Sequence, residues 1–408
     1  MTESDQSPKP VQASSESLVD GIYPEVPRHE EEKREFSSWH KPRKQWIRKY
    51  QWLHEIGILL KGIKFRDDRP LKYLSLPGDD LLDVRVLHEL CVRQKLSLRY
   101  LGFSTKDPKK EGTQLNISID EVSRLANIST KSRVVSARLE LVAQEDTIAR
   151  AAIIEAGTFD VINIDLCDSI ASKKQSPERK VPTYYDGIHA LLELQTKNRT
   201  EPWVLFLTTR TAPDDVYDED ARKLWGVIQD NMTANPEFTK QLEALLDHKL
   251  EALTRAPAQV MLLSKSKFLK FFGVGVCKWI LGKLISATPA WAVAAGDIAY
   301  YRIGGDAEPE MLSICLHFSP IQASLADKAH LVRPHAIAAP VEPPKEAILA
   351  LQIIAKQLTA RDVDQVMADD PAVLEKMISQ SIDLLKAARY DCTGYRAWVA
   401  RPETPAAA

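Results

Sequence analysis

The stretch FDVINIDLCDS, residues 159 to 169, constrains the fold of this chain of 408 residues more than any other part. Aliphatic and β-branched residues lead through it to carboxylates at its C-terminal end, Asp165 and Asp168. A strand written this way needs cover on both faces, as the central strand of a parallel sheet has. The flanking text must therefore supply further strands beside it and helices above and below it.

It does. Tyr73 to Leu76 reads as a strand, followed by the tight loop Pro77, Gly78, Asp79, Asp80 and by helical periodicity from Leu81 to Cys91. Leu96 to Phe103 is a second strand ending at Phe103 and Ser104, and Ser118 to Asn127 is helical. Val134 to Val142 is a third strand ending before Glu145 and Asp146, with a helix over Thr147 to Ala156. After the 159–169 strand, a helix at Tyr185 to Thr196 and a strand at Trp203 to Thr208 complete a fifth step. Ile298 to Ile303 and Met311 to Phe318 alternate and flank a Gly-Gly-Asp turn, which reads as a hairpin. The expected fold is α/β, a doubly wound, mostly parallel sheet with a C-terminal antiparallel hairpin. A helix from about Pro42 to Lys61 precedes it and a helical appendage follows it, with Asp370 and Pro371 marking one helix start. The expected divisions are a disordered tail at 1–30, a basic aromatic helical segment at 31–64, the sheet domain at 65–325, a proline-rich linker at 326–344, the appendage at 345–400 and a second tail at 401–408.

Five βα steps finishing in an antiparallel hairpin resemble the class I S-adenosylmethionine-dependent methyltransferases over about 250 residues. The D-x-x-x-x-D form of the fourth strand is weakly similar to that of tRNA guanine dimethyltransferases and three-Cys-motif partner proteins. The resemblance implies S-adenosylmethionine as cofactor, with RNA or DNA as the acceptor class. It implies that Leu76, Pro77, Gly78 and Asp79 approach the methionine part, that Phe103 and Ser104 border the adenosine, and that Glu145 or Asp146 faces the adenine. The motif residues depart from the family at two places: LPGDD keeps a single glycine, and LGFS stands where an acid usually holds the ribose. Asp165, with Asp168, is the candidate for orienting the acceptor; a single placed carboxylate suffices where transfer needs mainly alignment.

Each of these residues has a plainer reading. Gly78 serves any tight turn, Asp79, Asp80 and Asp83 suit a helix N-terminus, and Asp165 and Asp168 suit a helix cap. Lys33 to Tyr50 carries seven cations against Glu35 alone, interleaved with Trp39, Trp46 and Tyr50. Arg43, Lys44 and Arg48 there, and Lys267 and Lys270 in an acid-free stretch from Arg255 to Gly296, are candidate nucleic-acid contacts. Docking on the core, or a partner protein bound through residues 260–285 or the helical tail, is the alternative. In that second reading the chain is a catalytically inactive Rossmann scaffold within a complex.

Composition narrows the remaining classes. With 44% hydrophobic and 27% charged residues the chain is that of a folded protein, and a net charge of -2 exerts no global pull on nucleic acid. No GxxxxGK[ST] loop occurs, which disfavours a nucleotide hydrolase. The five cysteines form no CxxC pair and the histidines no ligand spacing, so no metal site is expected. The polar N-terminus lacks the form of a secretory signal and no membrane span is expected, so the reading is cytoplasmic.

Overall fold

The computed structural model describes residues 33–63, 65, 69–173, 181–285, 287, 290–303, 305, 308–321 and 346–401. The expected N-terminal tail, the proline-rich linker and all of the C-terminal tail but Arg401 lie outside them. The strands are β1 (Leu71–Ser75), β2 (Leu98–Ser104), β3 (Arg133–Ser136), β4 (Val161–Asp165), β5 (Trp203–Arg210), β6 (Trp291–Ala295), β7 (Ala299–Tyr301), β8 (Met311–Pro320) and β9 (Arg361–Asp362). They form one sheet in the order β3-β2-β1-β4-β5-β8-β7-β9, with β6 also paired to β8. Strands β1 to β5 are parallel, and β8 runs antiparallel to β5 and to both β6 and β7. The fold is thus Rossmann-like α/β with a terminal antiparallel hairpin, as the alternation of elements predicts.

The strand period of two divides the core between the faces of the sheet. Leu74, Ile162, Ile164, Leu205 and Leu207 join one apolar cluster, while Tyr73, Val161, Val204 and Phe206 join the other. Helix Lys265–Ile285 fills the first, with Phe268, Phe271, Phe272 and Val276 fully buried. Its one inward charge, Lys278, is satisfied by Asn231 and Glu346, each at 2.6 Å. The stretch considered as a partner surface at residues 260–285 is therefore largely a core helix. Among the described residues no helix is long and apolar enough to cross a membrane.

One other expectation needs correction. The third strand stops at Ser136; Leu139 and Val142 are buried three residues apart on a 3-10 turn, a spacing that reads as a strand when only hydrophobicity is counted. The C-terminal helices follow the sheet as expected, and they pack against it. Leu349, Ile353 and Ile354 of helix Glu346–Leu358 pack into the first cluster. Met377, Leu384 and Leu385 of helix Pro371–Ala387 pack into the second, beside the N-terminal helical segment. Between these helices β9 adds to the sheet edge along β7. The start at Pro371 is as expected: the Asp370 carboxylate accepts from the N–H groups of Ala372 and Val373 at 2.9 and 3.3 Å.

Met377→Ala, at a fully buried position of the C-terminal helices, is expected to lower the stability of the whole domain by roughly 2–5 kcal/mol. Urea denaturation read by tryptophan fluorescence checks this; an unchanged midpoint would mean that the C-terminal helices fold apart from the sheet.

Candidate functional site

The carboxyl ends of β1, β2 and β4 open into a crevice of about 440 Å³, the place where ligands lie in open α/β sheets. Leu76, Pro77 and Gly78 line it after β1, Phe103, Ser104 and Thr105 at the end of β2, and Asp165 to Asp168 at the end of β4. Leu76, Pro77, Gly78, Phe103, Ser104, Asp165 and Asp168, all singled out from the sequence for the cofactor or the acceptor, are thus brought together. The third wall comes from Ala137 to Glu140 and not from Glu145 and Asp146, which are exposed and outside the crevice because β3 ends early. Asp79 also stands outside its lining and pairs with Lys106.

Close packing shapes the rim. A Cβ on Gly102 would come within 2.7 Å of the Pro77 ring, so a glycine at the end of β2 lets the two strand ends converge. Gly78 is the opposite case, since a Cβ there would meet nothing within 4 Å. The fold itself has no steric need of a glycine at 78. Leu81 closes this turn in the left-handed region, at φ 49°, and holds that conformation with its side chain fully buried.

The N-terminal helical segment roofs the crevice. It runs as Pro42–Trp46, a π turn over Ile47–Trp52 and then Leu53–Gly62. Lys44, Arg48 and Trp52, four residues apart, face the sheet and are 5%, 5% and 4% exposed. The Lys44 ammonium donates to Asp165 at 2.5 Å and to the Tyr301 hydroxyl at 3.3 Å. Burial alone would lower its pKa, but Asp165 and Tyr301 raise it overall. Arg43 pairs with Asp364 at 3.1 Å and donates to the Arg302 carbonyl at 2.7 Å. So the three basic residues expected to meet nucleic acid point into the protein. Lys267 and Lys270 do not line the crevice, and Lys267 donates to the Asp247 carbonyl at 2.6 Å. Sequence reading missed Trp52, Arg138, Glu140 and Tyr184, which also line the crevice, and placed Trp39 on a nucleic-acid surface instead. A signal was present in the spacing 44, 48, 52, which marks one helix face.

Three further carboxylates have distinct surroundings. Asp80 is buried beneath the crevice turn and meets Lys33 at 2.6 Å, the Tyr390 hydroxyl at 2.8 Å and His40 at 3.4 Å. Burial alone would raise its pKa; the donors from His40, Lys33 and Tyr390 outweigh that and hold the carboxyl well below its ordinary value. Asp83 accepts from the Tyr73 hydroxyl at 2.8 Å, and burial, followed by weaker effects including the Asp165 charge, pushes its carboxyl up. At the other end of β4, Asp160 is fully buried between Arg69 and Arg199, each at 2.7 Å, and is structural.

Away from the crevice, Glu55, Cys315 and His317 bring potential metal-ligating atoms within 4.8 Å of one another. Glu55 is already engaged by His317 at 2.7 Å and by the Asp297 N–H at 2.5 Å, which pins the break between β6 and β7.

A family model described as PP_RS20740-like matches residues 33–400 of the chain. No protein with a curated description matches it. Among solved structures 33 chains match. One is a Listeria monocytogenes protein provisionally assigned as a class I S-adenosylmethionine-dependent methyltransferase, at 10% identity and a TM-score of 0.32, covering 67% of this chain and 61% of that one. The chain therefore spans less than two thirds of that protein, and nothing further follows from so distant a likeness.

Two outcomes are expected here. Lys44→Met leaves a part-buried carboxylate without its cation and should cost roughly 3 kcal/mol; a double-mutant cycle with Asp165→Asn in urea should recover most of that loss. On acidification, stability should fall in two stages. Burial, against the pull of Asp80, holds the His40 imidazole below its ordinary 6.5, so its contribution is complete above that value and is lost as pH drops through the lower folded one. The Asp80 contribution is complete above 3.8 and is lost below it. Asp80→Asn should abolish the second stage in a urea series from about pH 7 to about pH 3, and a variant curve parallel to that of the wild type would refute the assignment.

Proposed function

The chain belongs to the PP_RS20740-like family, a name that states no chemistry, and from the geometry of its crevice we propose that it binds S-adenosylmethionine as a methyltransferase-like protein. The observation that carries this reading is the convergence of Leu76, Pro77, Gly78, Phe103 and Ser104 with Asp165 in one crevice at the carboxyl ends of β1, β2 and β4. The strand order, with an antiparallel β8 inserted beside β5, agrees with it.

The residues present fit such a ligand in shape. Space is left open over Gly78, where a side chain would intrude on the ligand and on nothing else. Phe103, Ala137 and Leu139 offer an apolar surface for a base. When bound, the cofactor supplies an electrophilic methyl group. The protein's part is to place the acceptor and accept its hydrogen bond, and Asp165, held in position by Lys44, is sited for that. With Arg43, Lys44 and Arg48 turned inward, the basic helix no longer supports RNA or DNA as acceptor. An acceptor that enters the roofed crevice must be small or present a narrow group.

One observation favours the competing reading of a catalytically inactive scaffold: the end of β2 offers Phe103 and Ser104 and no carboxylate for a ribose. Calorimetric titration with S-adenosylmethionine and S-adenosylhomocysteine separates the two. Micromolar binding that falls at least tenfold in Gly78→Arg, with an unchanged melting temperature, is the expected result. No heat with either ligand from folded protein would leave the scaffold.

A further inference from the structure

We propose that Arg48 is a receptor for a carboxylate, so that the crevice takes a small molecule bearing a single carboxylate on an apolar body. The inference rests on the crevice being a ligand site, as proposed above, but not on which ligand occupies it.

Arg48 is 5% exposed and lines the crevice, yet among the described residues no carboxylate lies within ion-pair distance of it. Its Nη2 donates to the Trp39 carbonyl at 3.2 Å, and its Nε is buried without any partner. Asp83 and Asp165 act on it only at longer range, and burial lowers its pKa from the ordinary value. A guanidinium held away from water without a counterion is costly, and proteins keep such a group where something else completes it. Its neighbours Lys44 and Arg43 show the contrast, since each has its carboxylate.

Two further features direct Arg48 at the crevice. It lies in the π turn Ile47–Trp52, and such single widened turns recur where a helix must aim side chains at a site. Trp52, at the end of the same turn, also has a buried indole N–H with no partner, and Trp39 lines the crevice while remaining 47% exposed. The forked cation and two aromatic side chains thus line the same crevice. A planar carboxylate matches the fork through Nε and one Nη, which a spherical anion does not. Asp83, Asp165 and Asp168 around the same space disfavour a doubly charged phosphate, which would suffer twice the repulsion of a carboxylate.

The carboxylate has two possible sources, the amino-acid end of the adenosyl cofactor and the acceptor. Wild type, Arg48→Met and Arg48→Lys are titrated with S-adenosylhomocysteine and with 5′-methylthioadenosine, which lacks the amino-acid end. Benzoate and benzamide are then titrated with and without S-adenosylhomocysteine. Since Met keeps the stem and removes an uncompensated charge, Arg48→Met should melt no lower than wild type; a large drop would mark Arg48 as structural and overturn the proposal.

A loss of tenfold or more in S-adenosylhomocysteine affinity in Arg48→Met, with methylthioadenosine unaffected, assigns the carboxylate to the cofactor. Unchanged adenosyl binding, with benzoate but not benzamide bound by wild type and lost in the variant, assigns it to the acceptor. If neither adenosyl ligand binds but benzoate does and needs Arg48, the methyltransferase reading fails and the receptor stands. If Arg48→Met binds every probe as wild type does, or if wild type binds none of them, the proposal is wrong.

Discussion

Parallel strands that end in carboxylates create a problem at the carboxyl edge of a sheet, because the following loops shield that edge from water. Here the ion pair between Lys44 and Asp165 answers it. A helix from before the first strand is drawn across the sheet edge to deliver the ammonium, and the crevice acquires its roof by the same contact. Without that cation Asp165 would be a part-buried carboxylate lacking its ion-pair partner, and the cation sits on the same helical segment that brings Trp39, Arg48 and Trp52 to the cavity.

Asp80 repeats the arrangement one loop away and extends it to the other end of the chain. Its carboxylate gathers Lys33 and His40 from the N-terminal segment and Tyr390 from the C-terminal one. Lys33 and Tyr390 also meet as a parallel bridge, and the ammonium of Lys33 lies 4.4 Å from the centre of the Tyr390 ring. The two ends of the described chain are therefore closed on the turn that carries Gly78. Order in the crevice turn and order in the termini are one property, which is why acid should act on both together.

The three roles of carboxylates along one strand show how position sets chemistry. Asp160 at the amino end of β4 is sealed between two guanidiniums and accepts the Lys72 N–H as well. Asp165 at the carboxyl end has one cation and an open side toward the cavity. Asp168, three residues on, lines the cavity beyond the strand. Only the last two are placed to touch a ligand, and Asp160 was read from the sequence as part of the strand without a role.

Much of the fold was legible from local pattern. Strand and helix follow from the periods of apolar residues, and the turns after β1 and β2 from Pro77, Gly78 and the polar text after Ser104, since these depend on neighbours a few residues apart. The positions that converge at the carboxyl ends of β1, β2 and β4 followed from that alternation alone. What remained hidden depends on partners far apart in sequence: Lys44 and Asp165 are separated by 121 residues, and Asp80 and Tyr390 by 310. A basic aromatic helix looks the same in sequence whether its charges face water, a phosphate backbone or buried carboxylates. Only the tertiary structure decided which, because the energy of a charge is set by what surrounds it after folding and not by the residues beside it in the chain.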